Sequence, residues 1–111
     1  MNNVLGINLR LKEYESIYLF ADTRFAQRIF CTLVQLDQKI DGFVKYNVSF
    51  PILFGREVIT FQQFLQKKSR CLIVPYDVYD SIMEKGADIG LSDDDVFVWT
   101  EPVNEEEIIV F

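Results

Sequence analysis

The chain holds 111 residues, enough for one domain, since domains most often run to roughly 100–150 residues. Half of those residues are hydrophobic and 14% are aromatic, ten Phe among them, which excludes intrinsic disorder and supplies a packed core. A formal charge of −6 with no His disfavours nucleic acid as a direct ligand and removes the commonest general base and transition-metal ligand.

Taken in chain order, "NVLGINLRL" at 3–11 alternates loosely and predicts a first strand, and the apolar run "SIYLFA" at 16–21 predicts a buried second one. Asp22 or Thr23 is placed to cap a helix, because a short polar side chain accepts a hydrogen bond from a free amide of the first turn. Phe25, Ile29, Leu33, Leu36 and Ile40 then recur at steps of three and four, the period of a helix with one apolar stripe. Gly42 reads as the stop of that helix, in a position tolerant of positive φ. A strand over 27–36 is the competing reading.

"FVKYNVSF" at 43–50 alternates and predicts a half-buried strand, whereas Pro51 and Gly55 limit "ILF" between them to an edge or a turn. Thr60 precedes a short helical pattern ending in Lys67, Lys68 and Arg70, cations suited to the negative end of a helix dipole. "CLIV" at 71–74 is a compact strand, and Pro75 with Gly86 punctuates a helix over about 76–85. On that helix Asp77, Asp80, Ser81 and Glu84 fall on one stripe, so it presents an acidic ridge to solvent. "DVFVWT" at 95–100 is apolar on both alternating faces and predicts a strand covered on both sides; "EEIIVF" at the end of the sequence predicts another, paired about a turn at 101–104.

Together these elements predict an α+β fold. The expectation is a single compact domain over 1–111, with a mixed or mainly antiparallel sheet of about five or six strands and two to three helices packed on it.

Charge is divided unevenly along this chain. Residues 1–70 carry ten basic and six acidic groups, a balance of +4, whereas residues 71–111 carry eleven acidic groups and one basic group, Lys85, a balance of −10. Either the acidic third folds against the basic two thirds and is neutralised, or its carboxylates share a face that attracts a basic partner over about one Debye length, roughly 8–10 Å at ordinary salt.

Catalytic chemistry finds little support. Cys31 and Cys71 lack the spacing of a zinc or redox motif and read as buried thiols, and no phosphate loop or nucleophile elbow is present. "DDD" at 93–95 lacks the Gly and the bidentate Glu of a calcium loop. The expectation is a protein without enzymatic activity, metal or cofactor. With no charged leader and no apolar run of the roughly 18 residues that cross a bilayer, a cytoplasmic protein without membrane association is expected.

A small acidic chain with carboxylates and aromatics on one helix, including "EKGADI" at 84–89, resembles in general character the bacterial immunity proteins. That resemblance implies an antitoxin that neutralises a basic nuclease-type toxin; a phage-encoded inhibitor imitating nucleic acid is a variant of the same physics. The partner-binding candidates are Tyr76, Asp77, Tyr79, Asp80 and Glu84 on the helix, with Asp93, Asp94 and Asp95 and with Glu105 and Glu106 as flanking acidic clusters. The alternative from another class is a structural or oligomeric adaptor, in which the abundant Phe and Ile build a homo-oligomer interface and acidity keeps the protein in solution.

Overall fold

The chain was analysed as a computed structural model that describes Leu11 and residues 13–100. In order these form β1 (Ser16–Phe20), α1 (Ala26–Gln35), β2 (Gly42–Val44), β3 (Ile52–Leu53), β4 (Arg56–Ile59), α2 (Phe61–Leu65), β5 (Arg70–Pro75), α3 (Tyr79–Ala87), a 3-10 turn (Asp93–Asp95) and β6 (Val96–Trp99). The strands make one six-stranded sheet in the order β3-β4-β2-β1-β5-β6. Only the β3–β4 pair is antiparallel; β4–β2, β2–β1, β1–β5 and β5–β6 all run parallel. The α+β expectation of one compact domain with a mixed sheet and three helices therefore holds for the described residues, in its mixed rather than its mainly antiparallel form.

The burial of the central strands follows from that parallel pairing. Helical crossovers leave cover on both faces of a parallel sheet, so its strands are apolar at every position rather than at every second one. β1 and β5 are buried from their second residue to their last, and Val96, Phe97 and Trp99 of β6 are buried too. Ile17 and Leu19 of β1 point to the face covered by α1, where Ile29, Phe30 and Leu33 meet them with Phe43, Ile73 and Phe97. Tyr18 and Phe20 point the other way, into a second core with Phe61 and Phe64 of α2 and Ile82 of α3.

Several local expectations give way to longer-range demands. α1 stops at Gln35, because Asp37 adopts a left-handed φ of 56° and the Gln38 amide turns back to the Leu33 carbonyl. Gly42 is not the helix stop: it opens β2, fully buried between β1 and β4. A Cβ there would sit 2.5 Å from the Glu57 carbonyl oxygen and 2.7 Å from Tyr18 Cε2, far inside contact distance. The missing side chain lets the Tyr18 hydroxyl reach across β2 and donate to the Glu57 carboxylate on the far strand. Lys67 completes that cluster, 3.7 Å from the same carboxylate and with its ammonium over the Tyr18 ring.

β2 itself is three residues long; the alternation over 45–50 continues, but in an exposed loop. Phe54 and Gly55, both at positive φ, form the two-residue turn that joins β3 to β4, a geometry that matches strand twist. Thr60 caps α2 as its sequence suggests, in a reciprocal box with Gln63. Pro75 closes β5 rather than opening a helix, and α3 begins only at Tyr79. Gly86 lies inside α3, where a Cβ would collide with the Leu91 side chain at 2.7 Å. Of the two thiols, Cys71 is buried and Cys31 only half-buried. The strand expected at 3–11 lies outside the described residues except at Leu11, which is helical and buried; the strand expected at 106–111 lies outside them altogether.

Candidate protein-binding surface

α3 carries the larger part of the candidate surface. Its buried stripe is Ile82 and Gly86, packed toward the sheet, and it has Asp80 in the first turn and Lys85 in the last, each at the end of the helix dipole that favours its sign. Asp80 and Glu84 are exposed one turn apart on the opposite side, with Ser81 between them. Asp77 is exposed as well, but it lies in the turn before the helix rather than on the ridge. The ridge continues instead to Asp88, the C-cap, four residues beyond Glu84. The sequence places the helix end at Gly86 and so leaves Asp88 off the ridge; its spacing from Asp80 and Glu84 is the signal that includes it.

Asp88 stands at the negative end of the α3 dipole, where a carboxylate opposes the helix rather than supporting it. The helix accepts that cost, so the position is not explained by helix stability.

The two aromatic candidates differ in their engagement. Tyr76 is 55% exposed. Tyr79 is half-buried and its hydroxyl donates to Asp93 Oδ1 at 2.6 Å, tying the start of α3 to the 3-10 turn. That hydrogen bond, then burial, then the charges of Asp93 and Asp80 push the Tyr79 phenol above its ordinary range, so it remains a donor. Asp95 is held within the fold: it pairs with Arg70 Nε at 3.2 Å and accepts from the Ser92 amide at 3.1 Å. Arg70 in turn reaches the carbonyl of Leu65 at 2.6 Å, so this pair fastens the turn to the end of α2. Asp94 is exposed, and Glu105 and Glu106 lie outside the described residues.

Three cations of the earlier sequence pair with acids of that same region, whereas Arg70 pairs with Asp95. Lys39 pairs with Asp41, Lys45 with Asp22 and Lys67 with Glu57, at 3.3–3.7 Å. Among the described residues, Asp95 alone of the seven carboxylates between positions 77 and 95 has a cationic partner; Asp77, Asp80, Glu84, Asp88, Asp93 and Asp94 have none. No three His, Cys, Asp or Glu side chains among the described residues are grouped so as to hold a metal ion, and no described helix is long and apolar enough to cross a membrane.

A second surface was not anticipated. Tyr46, Val48, Phe50, Ile52 and Phe54 are all exposed, every second residue of the loop and edge strand that bound the sheet on its β3 side. The alternation is visible in the sequence, which puts Tyr46, Val48 and Phe50 on the buried face of a strand and Ile52 and Phe54 in an edge or turn.

Set against family models, curated proteins and solved structures, the chain shows no match to any of them.

Proposed function

We propose that the protein is a small acidic binding protein that occludes a basic partner, in the manner of an immunity protein or antitoxin that neutralises a nuclease-type toxin. The observation that carries this reading is the set of six carboxylates between Asp77 and Asp94 without cationic partners among the described residues. Unquenched charge of one sign accelerates the encounter with an opposite surface, while a few desolvated aromatics set the lifetime of the complex. Tyr76, beside Asp77 and one turn from Asp80, is the exposed aromatic in the right place. Asp88 at the unfavourable end of its helix adds to the case, since a cost to folding is tolerated where binding uses the charge.

The test is association with the partner recovered on immobilised protein in low salt and eluted by a salt gradient. Asp77→Ala combined with Asp80→Ala should slow association and flatten its salt dependence. An unchanged low-salt rate constant removes the proposal.

A second reading has its own support. The exposed alternate residues from Tyr46 to Phe54 lie on a short edge strand and the loop before it, and exposed apolar side chains beside an edge strand are where another chain adds on. On this reading the protein is an oligomeric or structural adaptor. A homo-oligomeric mass that does not change with salt would favour it over the inhibitor.

A further inference from the structure

The acidic face of α3 has a reverse side that is built differently. Between α2 and α3 lies a pocket of about 170 Å³, walled by Phe61, Ile82 and Ile89 and rimmed by Tyr46, Gln62 and Lys85. That volume is close to the roughly 150 Å³ of an apolar cavity that accepts a benzene ring, and well under the roughly 300 Å³ at which drug-sized sites begin.

Its rim is unusual for this part of the chain. Lys85 is the only basic residue after Arg70. Glu84 precedes it and Asp88 follows one turn later, yet its ammonium pairs with neither and rests over the Tyr46 ring, 4.8 Å from the centroid. Tyr46 is fixed in turn by its backbone amide, which donates to Asp22 at 2.6 Å, and by ring contacts with Phe20 and Phe61 at 5.4 Å. Burial and the Asp22 charge hold its phenol above the ordinary range, so the hydroxyl keeps its proton. Neither that hydroxyl nor the Gln62 amide has a hydrogen-bond partner among the described residues. Three exposed groups that can donate, one of them cationic, thus rim an apolar hollow, and none of the three donates a hydrogen bond to another described residue.

We infer that this pocket binds a small monoanion: a molecule with an apolar body of about one ring and a single carboxylate, the ring between Phe61 and Ile82 and the carboxylate at Lys85. The apolar walls set the size of the body. The unmatched ammonium sets the sign of the head group, since a charge-assisted hydrogen bond to an acceptor at its rim is what this site lacks. The inference rests on the pocket and not on the proposed partner surface, whose Glu84 and Asp88 flank Lys85 on the same helix.

Backbone amide NMR of the full chain, titrated with phenylacetate, phenylacetamide and acetate, tests it. Phenylacetate should give saturable shifts at Gln62, Lys85, Gly86 and Ile89. The neutral amide and the ring-free anion should each bind about tenfold more weakly, the scale of one charge-assisted hydrogen bond or of a buried ring. Lys85→Met, which keeps an unbranched apolar stem without the charge, should lower phenylacetate affinity by about tenfold while leaving shifts remote from residue 85 in place. Equal binding of phenylacetate and phenylacetamide by the unmodified protein, shifts that never saturate, or undiminished binding by Lys85→Met would each overturn the assignment.

Discussion

Gly42 is the residue at which sequence and fold are most tightly coupled. Tyr18, Gly42 and Glu57 stand in register on three adjacent strands, so a hydroxyl and a carboxylate two strands apart meet only because the middle residue has no side chain. Gly42→Ala places a methyl group against the backbone oxygen of Glu57, which cannot swing aside. We expect a loss of about 1–3 kcal/mol, the usual cost of overpacking, measured as a lower urea midpoint; a midpoint unchanged from wild type would mean the strands separate at no cost. Tyr18 makes the same cluster sensitive to alkali. Burial first, then the hydrogen bond to Glu57 and the charges of Glu57 and Asp41, hold its phenol well above the ordinary value. An unfolded chain ionises the phenol near pH 10 while the folded one resists, so the stabilisation tied to it is complete below about pH 10 and is lost as pH rises beyond that point. Tyr46 and Tyr79 shift in the same direction. Tyr18→Phe has no proton to lose there, and its urea midpoint should fall less than that of wild type between about pH 9 and pH 11. Parallel falls would assign the alkaline sensitivity to the other two phenols.

Among the elements, those legible in the sequence are the ones whose signal is local. β1, β5 and β6 show as short apolar runs because parallel strands are covered on both faces, and α1 shows as a stripe because one face of it meets Ile17 and Leu19. α2 is legible through its cap alone. Five residues are too few to hold a helix by propagation, and the box between Thr60 and Gln63 satisfies two amides at its start. Thr60→Ala should therefore cost about 1 kcal/mol, read from thermal or urea unfolding, and Thr60→Ser should cost less. What escaped the sequence was set by distant partners. Gly42 and Gly86 both look like helix stops, yet one serves a contact between β1 and β4 and the other makes room for Leu91. Pro75 looks like a helix start, yet it ends a strand whose next amide, that of Tyr76, continues the ladder to Trp99. The acidic ridge was legible as a spacing from Asp80 to Glu84, while the departure of Asp77 and the addition of Asp88 followed from where α3 begins and ends. Tyr79 and Asp95 look like surface groups in the sequence, and their engagement with Asp93 and Arg70 depends on the 3-10 turn, whose local signal is the box between Ser92 and Asp95.

At the scale of the whole molecule, the strand order changes direction once. The chain adds β2 and β4 on one side of β1, then returns to place β5 and β6 on the other, and α3 and the 3-10 turn form the connection between those last two strands. Of the ion-paired cations, Lys39, Lys45 and Lys67 meet acids before position 71 and Arg70 on β5 meets Asp95, which leaves a field from six carboxylates between Asp77 and Asp94 that have no cationic partner among the described residues. Such a field has a measurable consequence in the free protein, before any partner is known. Carboxylates without cations repel one another in the compact state, and salt shortens the reach of that repulsion to about 10 Å at 0.1 M. Glu84→Gln with Asp88→Asn removes two of these charges without removing a contact and leaves the favourable Asp80 charge at the start of α3 in place, because neither carboxylate has a partner among the described residues. The double variant should be more stable than wild type at low ionic strength, and the difference should shrink as salt is raised. A difference that stays constant with salt would come from helix propensity instead, and would leave α3 an ordinary solvated helix with no concentrated field for a basic partner to meet.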